Sequence, residues 1–503
     1  MKNLVKVLPY LGVVWFFLII SLDTNLPSNQ QNFLAIFVMV FWGWIFSRVA
    51  LFALGLFGVG LAVIFGISSV KDAFAPFASN TILLFMGGFL LARAMNTTNL
   101  DRRISFYLLS RQFIGGSFKK MLFLMMFITA FFSMWMSNTA TAAMMLPIIL
   151  GILKSMKIED EKTSGLILLG LAYSASIGGI GTPIGSPPNV IAIAFLKSLT
   201  GIEVGFVDWM VIAAPLLIVL FGLLFLYIVY SLPGNLRSFD ENIIKKMRKE
   251  LPPISIKEVV LVIVFLTTVA FWFLPSILKL VAPDNTELAK FVSASFPSGN
   301  VAIFFASLLF IFPLKLPFNL RLFNGGETDG KDEEDSKNKE PSVLGLEDIK
   351  KIDWGSLLLF AAGISLGSIF FKTGTAEWMA GLFKSYLTTD SLLLVILIVA
   401  FLTIFATEMI SNTATANILI PIIIAIAVQF NLDTIILTLS VALGASMAFM
   451  LPVATPPNAI VYGTGLVDKQ QMISLGFLLN IVFGFILSIG LYLFSDLIRA
   501  LLV

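Results

Sequence analysis

The sequence predicts an all-α polytopic membrane protein that is built from two inverted repeats. Of its 503 residues, 58% are hydrophobic and only 13% are charged, so a water-soluble domain of this length would leave too much apolar surface exposed. Apolar stretches of about 20 residues recur along the whole chain, and an α-helix of that length crosses roughly 30 Å of hydrocarbon. They predict about 11 transmembrane segments. A duplicated polar motif, described below, predicts the repeats.

The first apolar stretch, residues 8–21, follows Lys2 and Lys6 and resembles a signal peptide, but no small-residue cleavage site follows it. We expect it to be a retained helix. The chain contains no Cys and no His. This composition excludes disulfides, thiolate catalysis, the usual zinc sites and histidine proton relays.

The positions of Lys and Arg indicate how the chain is threaded. If the helical pairs at 120–154 and 391–429 are re-entrant hairpins and the N-terminus is cytoplasmic, most of the 33 Lys and Arg residues lie on the cytoplasmic side. This asymmetry fits the positive-inside rule and predicts a multi-pass protein of the inner (plasma) membrane. The polar segment 324–342 is expected to be a disordered cytoplasmic loop. The opposite side retains Lys71, Lys197, Lys279, Lys290, Lys372, Lys384 and Arg499.

Comparison of the sequence with itself reveals a duplicated unit. Ser-Asn-Thr-Ala-Thr-Ala at 137–142 recurs at 411–416, and a proline follows each copy at the same offset. Further on, Gly-Ser-Pro-Pro-Asn at 185–189 recurs as Ala-Thr-Pro-Pro-Asn at 454–458. In the predicted topology the two units have opposite orientation, so the repeat is inverted. Such repeats place binding sites near the bilayer midplane, where broken helices meet.

The repeat divides the chain into four expected regions. These are N-terminal scaffold helices at 1–79, a first repeat at 80–232, connecting helices with a charged cytoplasmic loop (314–353) at 233–353, and a second inverted repeat at 354–503. Each repeat is expected to hold a hairpin and a broken helix, at 120–154 and 164–199 in the first and at 391–429 and 433–465 in the second.

The repeated residues have the chemistry of an ion site. Irregular backbone cannot face lipid, because each unsatisfied N–H or C=O costs several kcal/mol. Ser, Asn and Thr cap helix ends at a hairpin tip, and paired prolines free the carbonyls before them. We expect the Asn after each Pro-Pro to cap the new half-helix. Exposed N–H groups suit a carboxylate, and hydroxyls and carbonyls suit a small hard cation, so we expect two cation sites beside one anion site.

Each element also has a plainer interpretation. An isolated Ser-Asn-Thr more often joins two helices by hydrogen bonds, and a lone Pro-Pro-Asn is more often a loop. The ordered recurrence of both favours a site. Glu408 lies in an apolar hairpin opposite Met134 of the first repeat. We expect it to form a structural ion pair or a cap, with a coupling carboxylate as the alternative.

With its twin Ser-Asn-Thr tips and Pro-Pro-Asn breaks, the chain resembles the divalent anion/sodium symporter (DASS) family of dicarboxylate and citrate transporters, from about residue 80 to the C-terminus. The resemblance implies a homodimer with a scaffold and an elevator-type transport domain, and Na⁺ as the coupling ion. It implies one sodium site at Ser133, Ser137, Asn138 and the Gly185 carbonyl, and a second at Thr407, the Ile410 carbonyl, Asn412 and the Ala454 carbonyl. The implied substrate contacts are Asn138, Thr139, Ser186, Asn412, Thr413 and Thr455.

The function that this implies is sodium-coupled secondary active symport of small di- or tricarboxylates of the succinate, malate and fumarate class. Alternatives within transport are a sodium-independent dicarboxylate exchanger and a transporter of another divalent anion such as sulfate. An intramembrane enzyme is disfavoured, because no His, Cys or paired intramembrane carboxylates are present. A channel is disfavoured because the polar groups form two local sites rather than a continuous pore lining. Nothing indicates nucleic-acid binding, and the expected partners are the anion, sodium ions and membrane lipid.

Overall fold

The computed structural model describes residues 8–47, 49–111, 115–158, 160–233, 244, 246, 248–281, 286–312, 342–383 and 391–502. Every regular element among these residues is a helix, which confirms the predicted all-α class. The N-terminal residues 1–7 and the acidic loop 324–342, apart from Ser342, lie outside the described residues.

The helices fall into groups around the two polar motifs. Before the first motif come α1 (Leu11–Ser21), α2 (Ser28–Phe46), α3 (Leu51–Ile64), α4 (Val70–Phe74), α5 (Asn80–Thr98) and α6 (Leu100–Leu109). The first repeat continues with α7 (Phe118–Ser133), α8 (Asn138–Ser155), α9 (Glu161–Gly179), α10 (Pro187–Phe195) and α11 (Phe206–Ser231). The connecting part holds α12 (Ile256–Val281), α13 (Thr286–Ser295), α14 (Ser298–Ile311) and α15 (Leu346–Lys350). The second half holds α16 (Trp354–Lys372), α17 (Thr375–Gly381), α18 (Leu392–Met409), α19 (Asn412–Gln429), α20 (Thr434–Gly444), α21 (Pro456–Tyr462), α22 (Lys469–Leu493) and α23 (Ser495–Leu502).

Eight of the described helical segments are long and apolar enough to cross a membrane. Four shorter apolar helices, α1, α3, α14 and α20, accompany them. Long and short apolar helices together agree with a polytopic protein whose membrane helices are partly interrupted.

The two motifs occupy equivalent places in the helical order. Helices α7 and α8 form the first hairpin, and α18 and α19 form the second, with a Ser-Asn-Thr motif at each tip. Helices α9 and α10 are separated by the first break, residues 180–186, and α20 and α21 by the second break, residues 445–455. Prolines begin α10 and α21, where a missing N–H costs nothing because the first turn has no intrahelical acceptor for it.

One compact unit comprises Met1–Ile82, Met125–Arg237 and Trp354–Val503, and it contains both hairpin tips and both breaks. Within it, the N-terminal helices pack on α16, where the rings of Phe37 and Phe370 stack with centroids 4.7 Å apart. The hairpin and the broken helix of the first repeat also pack closely, because a Cβ at Gly178 would overlap the backbone of Ala130. Close backbone approach therefore brings the last turn of α9 against the last turn of α7, next to the tip of the first hairpin.

The second compact unit comprises Leu83–Leu124 and Ser238–Asp353. Two ion pairs stabilise it: Arg93 Nε lies 2.9 Å from Asp348 Oδ1, and Arg103 Nε lies 2.6 Å from Glu258 Oε1. The Arg103 guanidinium also donates to the carbonyl of Pro252. These contacts join segments that are far apart in sequence.

Candidate functional site

Each hairpin tip begins its second helix with a serine cap. Ser137 precedes α8 in an extended conformation, and its Oγ accepts a hydrogen bond from the Ala140 N–H at 3.2 Å. Ser411 does the same before α19 with the Ala414 N–H, also at 3.2 Å. Serine satisfies one of the free N–H groups at a helix start and fixes where the helix begins. The cap therefore places the next residue, Asn138 or Asn412, at the first helical position of each tip.

In the first repeat, oxygen atoms from the hairpin and the break converge on Asn138. Ser133 Oγ lies 2.6 Å from Asn138 Oδ1 and 2.7 Å from the carbonyl oxygen of Ala175. The same end of the Asn138 amide lies 3.2 Å from the carbonyl oxygens of both Ala175 and Gly185. With the amide oxygen turned inward, one hydroxyl proton serves four oxygens. The oxygens without a proton can bind a small cation, or the amide can turn so that its nitrogen donates to them.

The second repeat has a matching cluster. Thr407 Oγ1 lies 2.7 Å from Asn412 Oδ1 and 3.0 Å from the carbonyl oxygen of Ala445. Ser133 and Thr407 are both fully buried at the ends of α7 and α18. A hydroxyl, an asparagine amide and a carbonyl are thus held together in each repeat, and with the amide oxygen turned inward these are hard oxygen ligands of the kind that small cations prefer.

The asparagine after each Pro-Pro pair supports the break rather than capping the new half-helix. Asn189 Nδ2 donates to the carbonyls of Gly179 and Thr182, at 2.9 and 2.8 Å. Asn458 Nδ2 donates in the same way to the carbonyls of Ala448 and Leu451, both at 3.1 Å. The expected helix-capping role was therefore wrong. These carbonyls lose their helical partners where the chain breaks, and each buried amide satisfies two of them.

The N-cap positions are filled by the residues before the prolines, and the two differ. Thr455 precedes α21, and its hydroxyl accepts from the Asn458 N–H at 3.4 Å. Ser186 precedes α10 without such a bond. Its Oγ instead lies 3.0 Å from Ser446 Oγ of the second break. Ser186 therefore joins the two repeats, a contact that the sequence did not predict.

A second bond also crosses between the repeats. The Tyr173 hydroxyl on α9 donates to the carbonyl of Phe449 in the second break at 2.6 Å. The two rings pack edge to face with centroids 5.0 Å apart. Tyr173 is fully buried, so its hydroxyl requires this partner. The first broken helix and the second break are thus held directly against each other.

Glu408 is a cap for the second break. Its Oε1 accepts from the N–H groups of Phe449 and Met450 at 2.7 and 2.8 Å, and its Oε2 accepts from the Leu451 N–H at 3.0 Å. Asn480 Nδ2 on α22 donates to Oε1 at 2.7 Å. The structure thus confirms the expected capping role. Three backbone donors that the break removes from the helix ladder are satisfied by one buried carboxylate.

The remaining residues expected in the site lie around these clusters. Ser137 and Thr139 are exposed at the first tip, and Thr413 is half-buried at the second. Ile410 ends α18 in an extended conformation, which separates its carbonyl from the helix ladder. Ala454 directly precedes the cap Thr455. The structure thus brings Ser133, Asn138 and Gly185 together in one cluster and Thr407 with Asn412 in the other.

Two carbonyls in these clusters, those of Ala175 and Ala445, were not predicted as site residues. Each belongs to an Ala-Ser pair, at 175–176 and 445–446, shortly before its break. This shared dipeptide is the sequence signal that identifies them, because it recurs between the Ser-Asn-Thr and Pro-Pro-Asn motifs of both halves. Because alanine has no functional side chain, only the repeat indicates Ala175 and Ala445.

The arrangement holds two oxygen clusters at paired hairpin tips beside two helix breaks, all in one compact unit. Free N–H groups at the start of α8 carry partial positive charge beside the first cluster. Such discontinuous helices are the binding elements of secondary transporters, and they define the class of this protein as a polytopic helical transporter.

The chain belongs to the family described as the sodium:sulfate symporter transmembrane region, whose model matches residues 1–498. The match includes the N-terminal 79 residues that the motif resemblance did not cover. Curated relatives span nearly the whole length. A protein from Staphylococcus saprophyticus named sodium-dependent dicarboxylate transporter SdcS is 32% identical over 94% of this chain and 88% of its own length. An uncharacterized transporter from Haemophilus influenzae is 36% identical over 96% of each. SdcS from Staphylococcus aureus is 31% identical over 93% of this chain and 86% of its own length.

Solved structures share the fold. The YdaH transporter of Alcanivorax borkumensis matches with a TM-score of 0.60 at 14% identity, over 95% of this chain and all of that chain. MtrF of Neisseria gonorrhoeae matches with a TM-score of 0.51 at 14% identity, over 95% of this chain and 97% of that chain. At this identity the likeness concerns the fold alone.

Proposed function

We propose that this protein carries small di- or tricarboxylate anions of the succinate, malate and fumarate class across the inner membrane by symport with sodium. The observation that supports this most directly is the repeated cluster of a buried hydroxyl, an asparagine amide and a carbonyl at each hairpin tip. The two SdcS relatives are named sodium-dependent dicarboxylate transporters, which supports both the coupling ion and the substrate class.

One sodium ion is assigned to Ser133, Ser137, Asn138 and the Gly185 carbonyl, and the Ala175 carbonyl lies beside this set. The second is assigned to Thr407, Asn412 and the carbonyls of Ile410 and Ala454, with the Ala445 carbonyl beside it. A cation in either place attracts the asparagine oxygen and directs the amide N–H₂ outward. Each asparagine then serves a cation with one atom and an anion with the other.

The carboxylate substrate is assigned to the space next to the two tips. Asn138, Thr139, Asn412 and Thr413 offer side-chain donors and free N–H groups at the tips, and Ser186 and Thr455 border the breaks. Because Ser186 is paired with Ser446, its hydroxyl reaches a substrate only if that bond is exchanged. The substrate would therefore compete with a contact between the repeats.

Accumulation of a dianion in a cell that is negative inside requires coupling to a cation. Moving a dianion into a cell that is negative inside costs about 2.3 kcal/mol per charge at 100 mV. Two sodium ions only neutralise the dianion, so a driving force from the membrane potential requires a third positive charge. We expect steep dependence of uptake on external sodium, with more than one ion per turnover.

The test is radiolabelled succinate uptake into proteoliposomes. An inward sodium gradient should drive accumulation, and potassium should substitute poorly. Matched vesicles are preloaded with unlabelled succinate and contain no sodium. Uptake only in these vesicles would show an exchanger and contradict the proposal. Excess sulfate is added in a further arm, and strong inhibition of succinate uptake by sulfate would favour a divalent inorganic anion as the substrate.

The assembly and motion are part of the same proposal. By its resemblance to the family, the protein is a homodimer with a cytoplasmic N-terminus, in which an elevator-type movement carries the hairpins and breaks across the membrane. The lysine and arginine asymmetry of the sequence supports the orientation. Light scattering of the purified protein in detergent, with the bound detergent subtracted, measures the mass; a monomer mass would contradict the dimer.

A further inference from the structure

The two halves of the site are supported in different ways. In the first break, Ile180 N–H and Gly181 N–H bond back to the carbonyls of Ile177 and Gly178, at 3.3 and 2.9 Å. These two N–H groups are thus satisfied by local turns and need no side-chain acceptor. In the second break, the N–H groups of Phe449, Met450 and Leu451 all bond to the Glu408 carboxylate.

Glu408 has no chemical equivalent in the first repeat. Its counterpart there is Met134, which contributes its backbone carbonyl to Thr182 Oγ1. A methionine side chain offers no acceptor that replaces a carboxylate. The second hairpin is therefore tied to its break by the carboxyl group of Glu408, whereas the first is tied by hydrogen bonds from hydroxyls to backbone carbonyls.

The Glu408 carboxylate, which anchors the second break, is itself held in place by helix α22. Asn480 donates to Glu408 Oε1, and one turn earlier Gly476 lies so close to the break that an added Cβ would overlap the backbone of Phe449. Phe449 is further held by Phe483, whose ring packs edge to face with it at 5.6 Å. Glu408 is only 4% exposed. The carboxylate thus lies in a dry and closely packed setting, where its bonds to N–H groups are strong.

Glu408 directly follows Thr407, which bonds to Ala445 of the same break and to Asn412 at the tip. Two adjacent residues of α18 therefore hold the second break at two places: the Thr407 hydroxyl donates to the Ala445 carbonyl at its start, and the Glu408 carboxylate accepts from the N–H groups of residues 449–451 in its middle. We propose that Glu408 is a positioning residue that fixes the second cation site before any ion arrives, whereas the first site, which lacks such an anchor, is completed by its ion. The inference rests on the proposed sodium coupling. It makes the two sites inequivalent, with the second occupied first.

The test compares Glu408→Gln with Met134→Leu, the matched change at the equivalent position of the first hairpin. Glutamine keeps the shape but replaces one acceptor oxygen by a donor that faces backbone N–H groups. For Glu408→Gln, the sodium concentration for half-maximal succinate uptake should rise at least tenfold, while the maximal rate at saturating sodium changes by less than about twofold. Met134→Leu should leave both values unchanged.

Hydrogen–deuterium exchange of purified protein without sodium tests, independently of transport, whether Glu408 holds the second break in place. Glu408→Gln should speed exchange in the second break, 445–455, and leave the first break, 180–186, unchanged. If this variant does not fold, Asn480→Ala removes one donor to Glu408 and should cause the same changes to a smaller extent, about threefold in the sodium dependence. Unchanged exchange at 445–455, or an equal increase in both breaks, would overturn the inference. So would a lower maximal rate with unchanged sodium dependence. Sodium-independent uptake by the unaltered protein would instead refute the proposed function, and the exchange data would still decide whether Glu408 fixes the break.

Discussion

The hydroxyls of Ser186 and Ser446 lie 3.0 Å apart, although the two residues are 260 positions apart in the chain. Both are buried, and the bond joins the first break to the second. Replacing either serine by alanine leaves the other hydroxyl buried and unpaired, at a cost of about 1–3 kcal/mol. The double variant removes both polar groups and should be more stable than the sum of the single effects predicts.

This prediction is measured as a double-mutant cycle on thermal unfolding of the detergent-solubilised protein. The three variants Ser186→Ala, Ser446→Ala and the double variant are compared with the unaltered protein. Strict additivity of the two single effects would show that the hydroxyls do not interact.

Asn138→Ala and Asn412→Ala should each abolish uptake while the protein stays folded. Each amide is shared between an oxygen cluster and the free end of a hairpin tip, so its loss removes both functions. Asn417→Ala is the matched control on the same helix as Asn412, because the Asn417 amide has no hydrogen-bond partner among the described residues. Uptake and elution on a sizing column are measured for all three. Near-normal uptake by either tip variant would place the site elsewhere.

The two hairpins should open to opposite sides of the membrane. Because the chain has no cysteine, single cysteines can be introduced directly. Ser155 and Gln429 are exposed last residues of α8 and α19, and they avoid the left-handed backbone of Lys157 and Asn431. A membrane-impermeant maleimide should label Ser155→Cys only from the cytoplasm and Gln429→Cys only from outside. Labelling of both from one side would refute the inverted topology.

Sequence reasoning succeeded where the repeat made the chemistry visible. The Ser-Asn-Thr motifs predicted hairpin tips, and the structure places Asn138 and Asn412 there; the apolar setting of Glu408 opposite Met134 indicated a cap. It failed where the contact depends on three-dimensional approach. The Ser186–Ser446 and Tyr173–Phe449 bonds join residues that no spacing relates, and the carbonyls of Ala175 and Ala445 belong to residues without functional side chains.

The asparagine after Pro-Pro illustrates the same limit. Local rules favour asparagine as a helix cap, and the sequence therefore indicated that role. In the folded protein, the carbonyls released by each break lie within reach of the amide, and those of Gly179 and Ala448 accept their hydrogen bond from it. Satisfying two buried carbonyls outweighs one cap, so Asn189 and Asn458 turn toward the break.

Gly476→Ala should severely impair folding or uptake. A Cβ at this position would overlap backbone atoms of Phe449 and Met450. Backbone atoms cannot move aside as the end of a flexible side chain can. The resulting displacement moves the segment that Glu408 holds. Gly490→Ala on the same helix is the control, because nothing lies within 4 Å of its added Cβ. That change should be neutral or stabilising by up to about 1 kcal/mol. Equal behaviour of the two variants would contradict the close packing of α22 on the break.

The last prediction concerns the ion pair between Asp348 and Arg93, in the unit that does not contain the hairpin tips. Asp348 lies in the short helix α15, outside the candidate membrane spans. Burial acts to raise the pKa of its carboxyl, but the Gly345 N–H, the Arg93 guanidinium and the Thr97 hydroxyl outweigh it and hold the pKa below its usual value. A depressed pKa means that the folded state binds the proton less readily than the unfolded state. The stabilisation is therefore complete above the usual carboxyl pKa and is lost as pH falls through the lower folded value.

Asp348→Asn should accordingly lower Tm at neutral pH, and the difference from the unaltered protein should stay constant from pH 7 to about 5 and narrow below about pH 4. Differential scanning fluorimetry across this range measures it. Glu347→Gln is the control: Glu347 pairs with Lys350 at 2.5 Å, but both side chains are exposed, so the change should cost less than about 1 kcal/mol at any pH. A difference between Asp348→Asn and the unaltered protein that persists undiminished to pH 3 would show that packing, rather than the charge of Asp348, stabilises this contact.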